Sequence, residues 1–163
     1  MTFSRRSGVL PTIAVPVALL ALVLAGPVQA QDLDEDLWSN AMECEHEAVA
    51  SLLEKGANPN AADEYGYTAL IHAAGSGCLE TVEVLLAASA DPNLRNEDGG
   101  FALFDAVGAE MDVDIEEERR DHAKIVELLL DAGADKNMKG PDGMTALEFA
   151  RRIGLPHIVA LLE

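Results

Sequence analysis

The hydrophobic pattern of this chain changes character near residue 31. From Ser7 to Gln31 there is no charged residue, and the most apolar part, Val17 to Ala25 (VALLALVLA), is a continuous run without helical or strand period. Beyond it, apolar residues recur at helical spacing. Leu70, Ala73 and Ala74 fall on one helical face, which predicts a short helix, and Val82, Leu85 and Leu86 make the stripe of a second. Thr68 and Thr145 stand where they can cap helix starts. Gly56 and Gly133 stand just past helix ends, where a left-handed residue is wanted, and Ser89 fills the same place at a small conformational cost.

These elements repeat. Gly66-Tyr67-Thr68-Ala69-Leu70-Ile71-His72-Ala73 returns as Gly99-Gly100-Phe101-Ala102-Leu103-Phe104-Asp105-Ala106. It returns again as Gly143-Met144-Thr145-Ala146-Leu147-Glu148-Phe149-Ala150. Leu85-Leu86-Ala87-Ala88-Ser89-Ala90-Asp91-Pro92-Asn93 has partners beginning at Leu52 and Leu129. Asn60 to Asn93 is an offset of 33, Asn93 to Asn137 one of 44, and the glycines Gly66, Gly99 and Gly143 give the same two offsets. Two landmarks in agreement fix a period of 33 with one insertion of 11 residues.

The pattern resembles the ankyrin repeat, with its T-P-L-H-x-A turn and helix pair at a 33-residue period. The resemblance implies an all-α solenoid of about four helix-turn-helix repeats with short β-turn fingers, in which each repeat buries its apolar face only by stacking on the next. The repeats fall at about 31–62, 63–95, 96–139 with the insertion, and 140–163 as a C-terminal cap. Ala69, Ala102 and Ala146 replace the family's Pro, and Ile71, Phe104 and Glu148 its His. Phe101 replaces Thr and removes a capping hydroxyl, so the first helix of repeat three should start less firmly. Repeat one lacks a finger, and Asp32, Asp34, Glu35 and Asp36 suit the N-terminus of its first helix. Trp38, at the place of Ile71, is expected to pack against repeat two.

Arg5 and Arg6, the apolar run and the closing Val28-Gln29-Ala30 have the order of a secretory signal, predicting a leader over 1–30 cut after Ala30. Pro11, Pro16 and an apolar stretch short of about 20 residues disfavour a membrane anchor. No Cys follows closely, which disfavours a lipoprotein. Ser4-Arg5-Arg6 is similar to a twin-arginine signal, although Ser7-Gly8 stand where that signal wants apolar residues, and both export routes stay open. The expected location is periplasmic or secreted, with no membrane contact after cleavage.

The chain holds 11 Lys plus Arg against 29 Asp plus Glu; losing Arg5 and Arg6 leaves 9 against 29, or −20 over residues 31–163. Nucleic acid is therefore an unsuitable partner. With aromatics at 4%, base-stacking platforms are unsuitable too. A basic protein partner is the natural complement.

The family resemblance places binding on the concave face, built from finger tips and first helices. Here those are Glu64, Tyr65 and Tyr67, then Glu97, Asp98 and Gly100, then Pro141, Asp142 and Met144, with His72 and Asp105 projecting nearby. Tyr65 and Tyr67 are the strongest single candidates, because Tyr offers large contact area with few rotamers to freeze. The reading is an exported, monomeric docking module that binds and stabilises a protein partner. The alternative is a periplasmic inhibitor or immunity protein against a basic enzyme or toxin.

The insertion lies within Gly108 to Asp121 and reads as a solvated loop, an extension of the next helix, or a partner contact. Asp112-x-Asp114-x-Glu116 resembles a calcium loop but has Glu117 where the EF-hand needs Gly. His46, His72, His122 and His157 share no spacing, and Cys44-Glu45-His46-Glu47 does not supply convergent metal ligands. No G-x-S-x-G, H-E-x-x-H or P-loop occurs, so neither a catalytic residue nor a cofactor is assigned. Cys44 aligns with Gly77, one residue before Cys78. Helices of neighbouring repeats pack about 8–10 Å apart, whereas a disulfide needs Cα atoms within about 7 Å. The one-residue offset either closes or widens that gap. An oxidising compartment favours a Cys44–Cys78 bond.

Overall fold

The computed structural model describes residues 26–109 and 116–163, with side chains described over 32–109 and 122–163. Eight helices follow in order: α1 Gly26–Met42, α2 His46–Glu54, α3 Ala69–Ser76, α4 Leu79–Ala87, α5 Ala102–Ala109, α6 Glu116–Asp131, α7 Ala146–Ile153 and α8 Pro156–Leu162. They form two layers. The first helices α1, α3, α5 and α7 stack on one another, the second helices α2, α4, α6 and α8 stack behind them, and each first helix packs on its own second helix. Residues 1–25, which hold most of the expected leader, lie outside the described residues.

The core runs the length of the stack between the layers. Leu37, Val49, Leu70, Leu85, Leu103, Ile125, Leu129, Ile158 and Leu162 are all fully buried. Ala69, Ala102 and Ala146 are buried, as are Ala73, Ala106 and Ala150, and these small side chains let successive first helices approach closely. Burial on α3 is wider than its predicted stripe, since Ala69 and Ile71 are buried as well, because α1 and α5 flank it within its layer and α4 backs it. On α4, Val82 and Leu85 are buried while Leu86 is half-buried.

Three hairpins precede α3, α5 and α7. Each closes in the same way: Asp63 N–H to Tyr67 O (3.0 Å), Asn96 N–H to Gly100 O (3.0 Å) and Gly140 N–H to Met144 O (2.8 Å). Gly66, with φ 81°, cannot be replaced cheaply, since an added Cβ would also come 3.0 Å from the Asn96 backbone of the next hairpin. Adjacent hairpins are joined by Glu97 N–H to Tyr65 O (3.0 Å) and by the Arg95 guanidinium donating to Lys139 O.

A ladder of short polar side chains also stitches repeat to repeat. Asp34 accepts from Asn58 N–H (2.7 Å), Asn60 from Asp91 N–H (2.7 Å) and Asn93 from Asp135 N–H (2.8 Å). Asp34 is thereby a rung of this ladder and not a first-turn acid. Since α1 begins at Gly26, the acids at 32–36 fall beyond its first turn.

Thr68 and Thr145 do cap α3 and α7, accepting from Ile71 N–H (3.3 Å) and Glu148 N–H (3.2 Å). Glu148 answers by accepting from Thr145 N–H (2.9 Å), completing a capping box at the position where the family's His is missing. Phe101, without a hydroxyl, is fully buried instead. Trp38 packs against the core, and its Nε1–H donates to Ala61 O (3.1 Å) at the base of the first hairpin.

The expected disulfide is present: Cys44 and Cys78 are bonded, with Cα atoms 5.0 Å apart. Cys44 has φ 61° and Gly77 φ 75°, so the aligned corner is left-handed in both repeats, and the one-residue offset closes the gap. Of the insertion, α6 takes up the portion from Glu116 onward, growing to 16 residues against 9 for α2 and α4. Residues 110–115, including Asp112 and Asp114, lie outside the described residues. Among the described residues no three His, Cys, Asp or Glu are grouped to hold a metal ion. No described helix is long and apolar enough to cross a membrane.

Candidate functional site

The repeat places equivalent residues in rows along the first-helix layer. Ser39, His72, Asp105 and Phe149 stand in one register, 33, 33 and 44 residues apart. All four line the same open face, beside the hairpins. Two grooves cut this face and meet at Met42 and His72. The larger, about 700 Å³, lies between α1 (Glu35, Trp38, Ser39, Met42) and the first hairpin (Asp63, Glu64, Tyr65). The smaller, about 410 Å³, crosses α3 and α5 and is walled by Tyr67, Ile71, His72, Phe104, Asp105 and Phe149.

Apolar area concentrates there. Met42 and Tyr65 are the exposed large hydrophobic residues of the described chain, at 52% and 61% exposure, and both line the larger groove. Phe104 stacks on Phe149 with centroids 4.8 Å apart, and Tyr67 stacks on His72 at 5.1 Å. Gly140 makes the first pair possible, because a Cβ there would come within 2.5 Å of the Phe104 ring.

Asp63 organises the hairpin side of the site. Its Oδ1 accepts from Tyr65 N–H and Tyr67 N–H, both 2.9 Å, and its Oδ2 lies 3.2 Å from His72 Nε2. Partial burial alone would raise the Asp63 pKa. The Tyr67 and Tyr65 amides and then His72 outweigh it, so the carboxyl is held below its ordinary value. Both tyrosines are thus aimed by backbone bonds to one carboxylate.

Asp105 differs. Its side chain is flanked by two glycines, Gly75 on α3 and Gly100 in the second hairpin. Gly100 gives its N–H to Asn96 Oδ1 (2.7 Å) and not to Asp105. Among the described residues no hydrogen bond or ion pair is formed by the Asp105 carboxylate, and burial pushes its pKa up to about 6. The Tyr67 hydroxyl is likewise pushed up, by burial first and then by Asp105, Asp98 and Asp63, so the groove carries a negative field.

Of the residues singled out in the sequence, Glu64, Tyr65, Tyr67, His72 and Asp105 come together in the two grooves. Glu97, Asp98, Asp142 and Met144 do not line them. Glu97 and Asp98 sit exposed on the second hairpin tip, and Asp142 binds Arg152 (2.8 Å). Sequence reasoning left out Met42, Phe104 and Phe149, and took Trp38 as core alone. Their signal is the register itself: Trp38 and Phe104 share the row of Ile71 and Glu148, Phe149 the row of Ser39, His72 and Asp105, and Met42 the row of Gly75 and Gly108, all three rows varied where the rows between them repeat Ala.

A family model described as ankyrin repeats, in three copies, matches residues 20–109, more than half of the chain. The match ends at the edge of the insertion, and the structure continues the same helix-pair plan through α8. No curated protein matches the chain.

Proposed function

The chain belongs to the ankyrin-repeat family of protein–protein interaction modules, and from that membership we propose an exported docking protein that binds and stabilises a protein partner through its hairpin tips and first-helix face. One observation carries the reading: the two exposed large hydrophobic residues, Met42 and Tyr65, sit together in the larger groove, which joins an aromatic, carboxylate-bearing second groove. Exposed apolar area gathered in a concave, polar-rimmed site is what a binding surface requires. The net charge of −18 supports a basic partner surface, through faster encounter and rejection of acidic competitors. The leader-like segment over 1–30 and the disulfide support an oxidising location outside the cytoplasm.

The test is crosslinked affinity capture of tagged protein from its native envelope fraction. A groove variant (M42A, E64K, Y65A) is compared with a tip variant (E97K, D98K, D142K). One abundant partner lost in the groove variant and weakened in the tip variant is the expected result. Loss only in the tip variant would move the docking surface to the finger ends. An enzyme silenced on binding would make the protein an inhibitor.

A further inference from the structure

The smaller groove has features that a general docking surface does not need. Asp105 lies in a slot between Gly75 and Gly100, beside the stacked rings of Phe104 and Phe149 and the Tyr67 ring. No cation among the described residues reaches it. The guanidiniums over the neighbouring rings are committed elsewhere: Arg152, over Phe149, to Asp142 (2.8 Å), and Arg95, over Phe101, to the Gly99 (2.9 Å) and Lys139 carbonyls. His72 faces Asp63 at 3.2 Å. A carboxylate left partly buried without a partner is costly, and ring faces attract cations. The molecule already uses this combination once, where the Arg152 guanidinium lies 4.9 Å from the Phe149 centroid while bonded to Asp142.

We propose that the groove between α3 and α5 is a socket for one cationic side chain, a lysine or arginine of the partner, with Asp105 as counter-ion and Tyr67, Phe104 and Phe149 as walls. The inference rests on the docking reading and deepens it, naming what the partner inserts. The partner's cation supplies a charge that the described residues leave unmatched, and the walls shield the ion pair from water, which strengthens it. A neutral side chain of the same shape fills the volume but leaves Asp105 unpaired. The site therefore selects by charge as well as by size.

The probes are the capped pentapeptide Gly-Leu-Arg-Leu-Gly and its neutral citrulline counterpart, titrated into the full folded domain and read by NMR at the Phe104, Phe149 and Tyr67 rings. The arginine peptide should give saturable shifts confined to those rings and should bind about tenfold more tightly than the citrulline peptide. Asp105→Asn should remove that preference. Glu83→Gln removes the same charge from exposed α4 in the outer layer and should leave the preference intact. Equal binding of the two peptides, or equal losses in D105N and E83Q, would overturn the socket. Capture of a partner that depends on Met42 and Tyr65 but is indifferent to D105N leaves docking standing and removes the socket. Ring shifts with the arginine peptide but no captured partner would do the reverse.

Discussion

Removing the charge at Asp105 should stabilise the protein, and by an amount that depends on pH. The carboxyl has an ordinary pKa of 3.8 and is pushed to about 6 by burial. At about 1.4 kcal/mol for each tenfold change in proton affinity, that displacement corresponds to about 3 kcal/mol. The direction follows from proton binding. Between the two values the native state holds a proton that the unfolded chain has released, so this group's contribution to stability falls as pH rises through about 4 to 6. Below about 4 the penalty is absent, and above about 6 it is complete. Asn has nearly the same shape without the charge. Desolvation of its amide returns part of the gain, leaving a net stabilisation of about 2 kcal/mol at pH 7.5, or about 5–10 °C in Tm. The titratable groups that share the smaller groove with Asp105 are His72 on α3 and Tyr67 in the first hairpin. Urea unfolding of wild type and D105N at pH 4 and pH 7.5 reads the effect, because other carboxylates common to both proteins largely cancel in the difference. The two should be close at pH 4, with D105N clearly the more stable at pH 7.5. A variant less stable at pH 7.5, or one whose advantage is the same at both pH values, would refute the reasoning.

Reducing the Cys44–Cys78 bond, which closes a loop with sequence separation 34, should lower unfolding free energy by about 4 kcal/mol, measured by urea unfolding with and without a phosphine reductant. Asn93→Ala removes bonds to Asp135 N–H (2.8 Å) and Gly133 O (3.1 Å) and should cost about 1–2 kcal/mol in the same assay. Phe101→Thr restores the repeat's capping hydroxyl but empties a fully buried site, so it should destabilise by about 2–4 kcal/mol in thermal unfolding; a gain would mean the cap outweighs the core. Thr145→Ala removes the hydroxyl that caps α7 and should cost about 1 kcal/mol in thermal unfolding, while the Thr145 backbone N–H that holds the Glu148 carboxyl below its ordinary pKa stays in place.

The helix pairs were legible because their punctuation is backbone chemistry: Gly66, Gly99 and Gly143 mark left-handed turns, and their offsets expose the insertion without any tertiary information. Ser89 was readable for the same reason, and it does adopt φ 66° in the place that Gly56 and Gly133 occupy. The disulfide followed from repeat alignment, although the closing direction of its one-residue offset needed the left-handed turn at Cys44. The candidate site was legible in part. Tyr65 and Tyr67 stand out by type, and Asp63 then fixes where they point. Phe104 and Phe149 did not stand out, because an aromatic residue on a helix reads as core until stacking partners are known. Acids were indistinguishable from one another in a chain holding 29 of them. Only the structure separates Asp105, partly buried and without an ion pair among the described residues, from Asp142, paired with Arg152 at the surface.

The central claim is that a protein partner docks on the first-helix face. Site-specific photocrosslinking in living cells tests it directly, with a benzophenone amino acid placed at Tyr65 in the groove or at exposed Glu83 on α4. One discrete crosslinked species from position 65 and none from position 83 is the expected result. The same species from both positions, or from position 83 alone, would contradict the account.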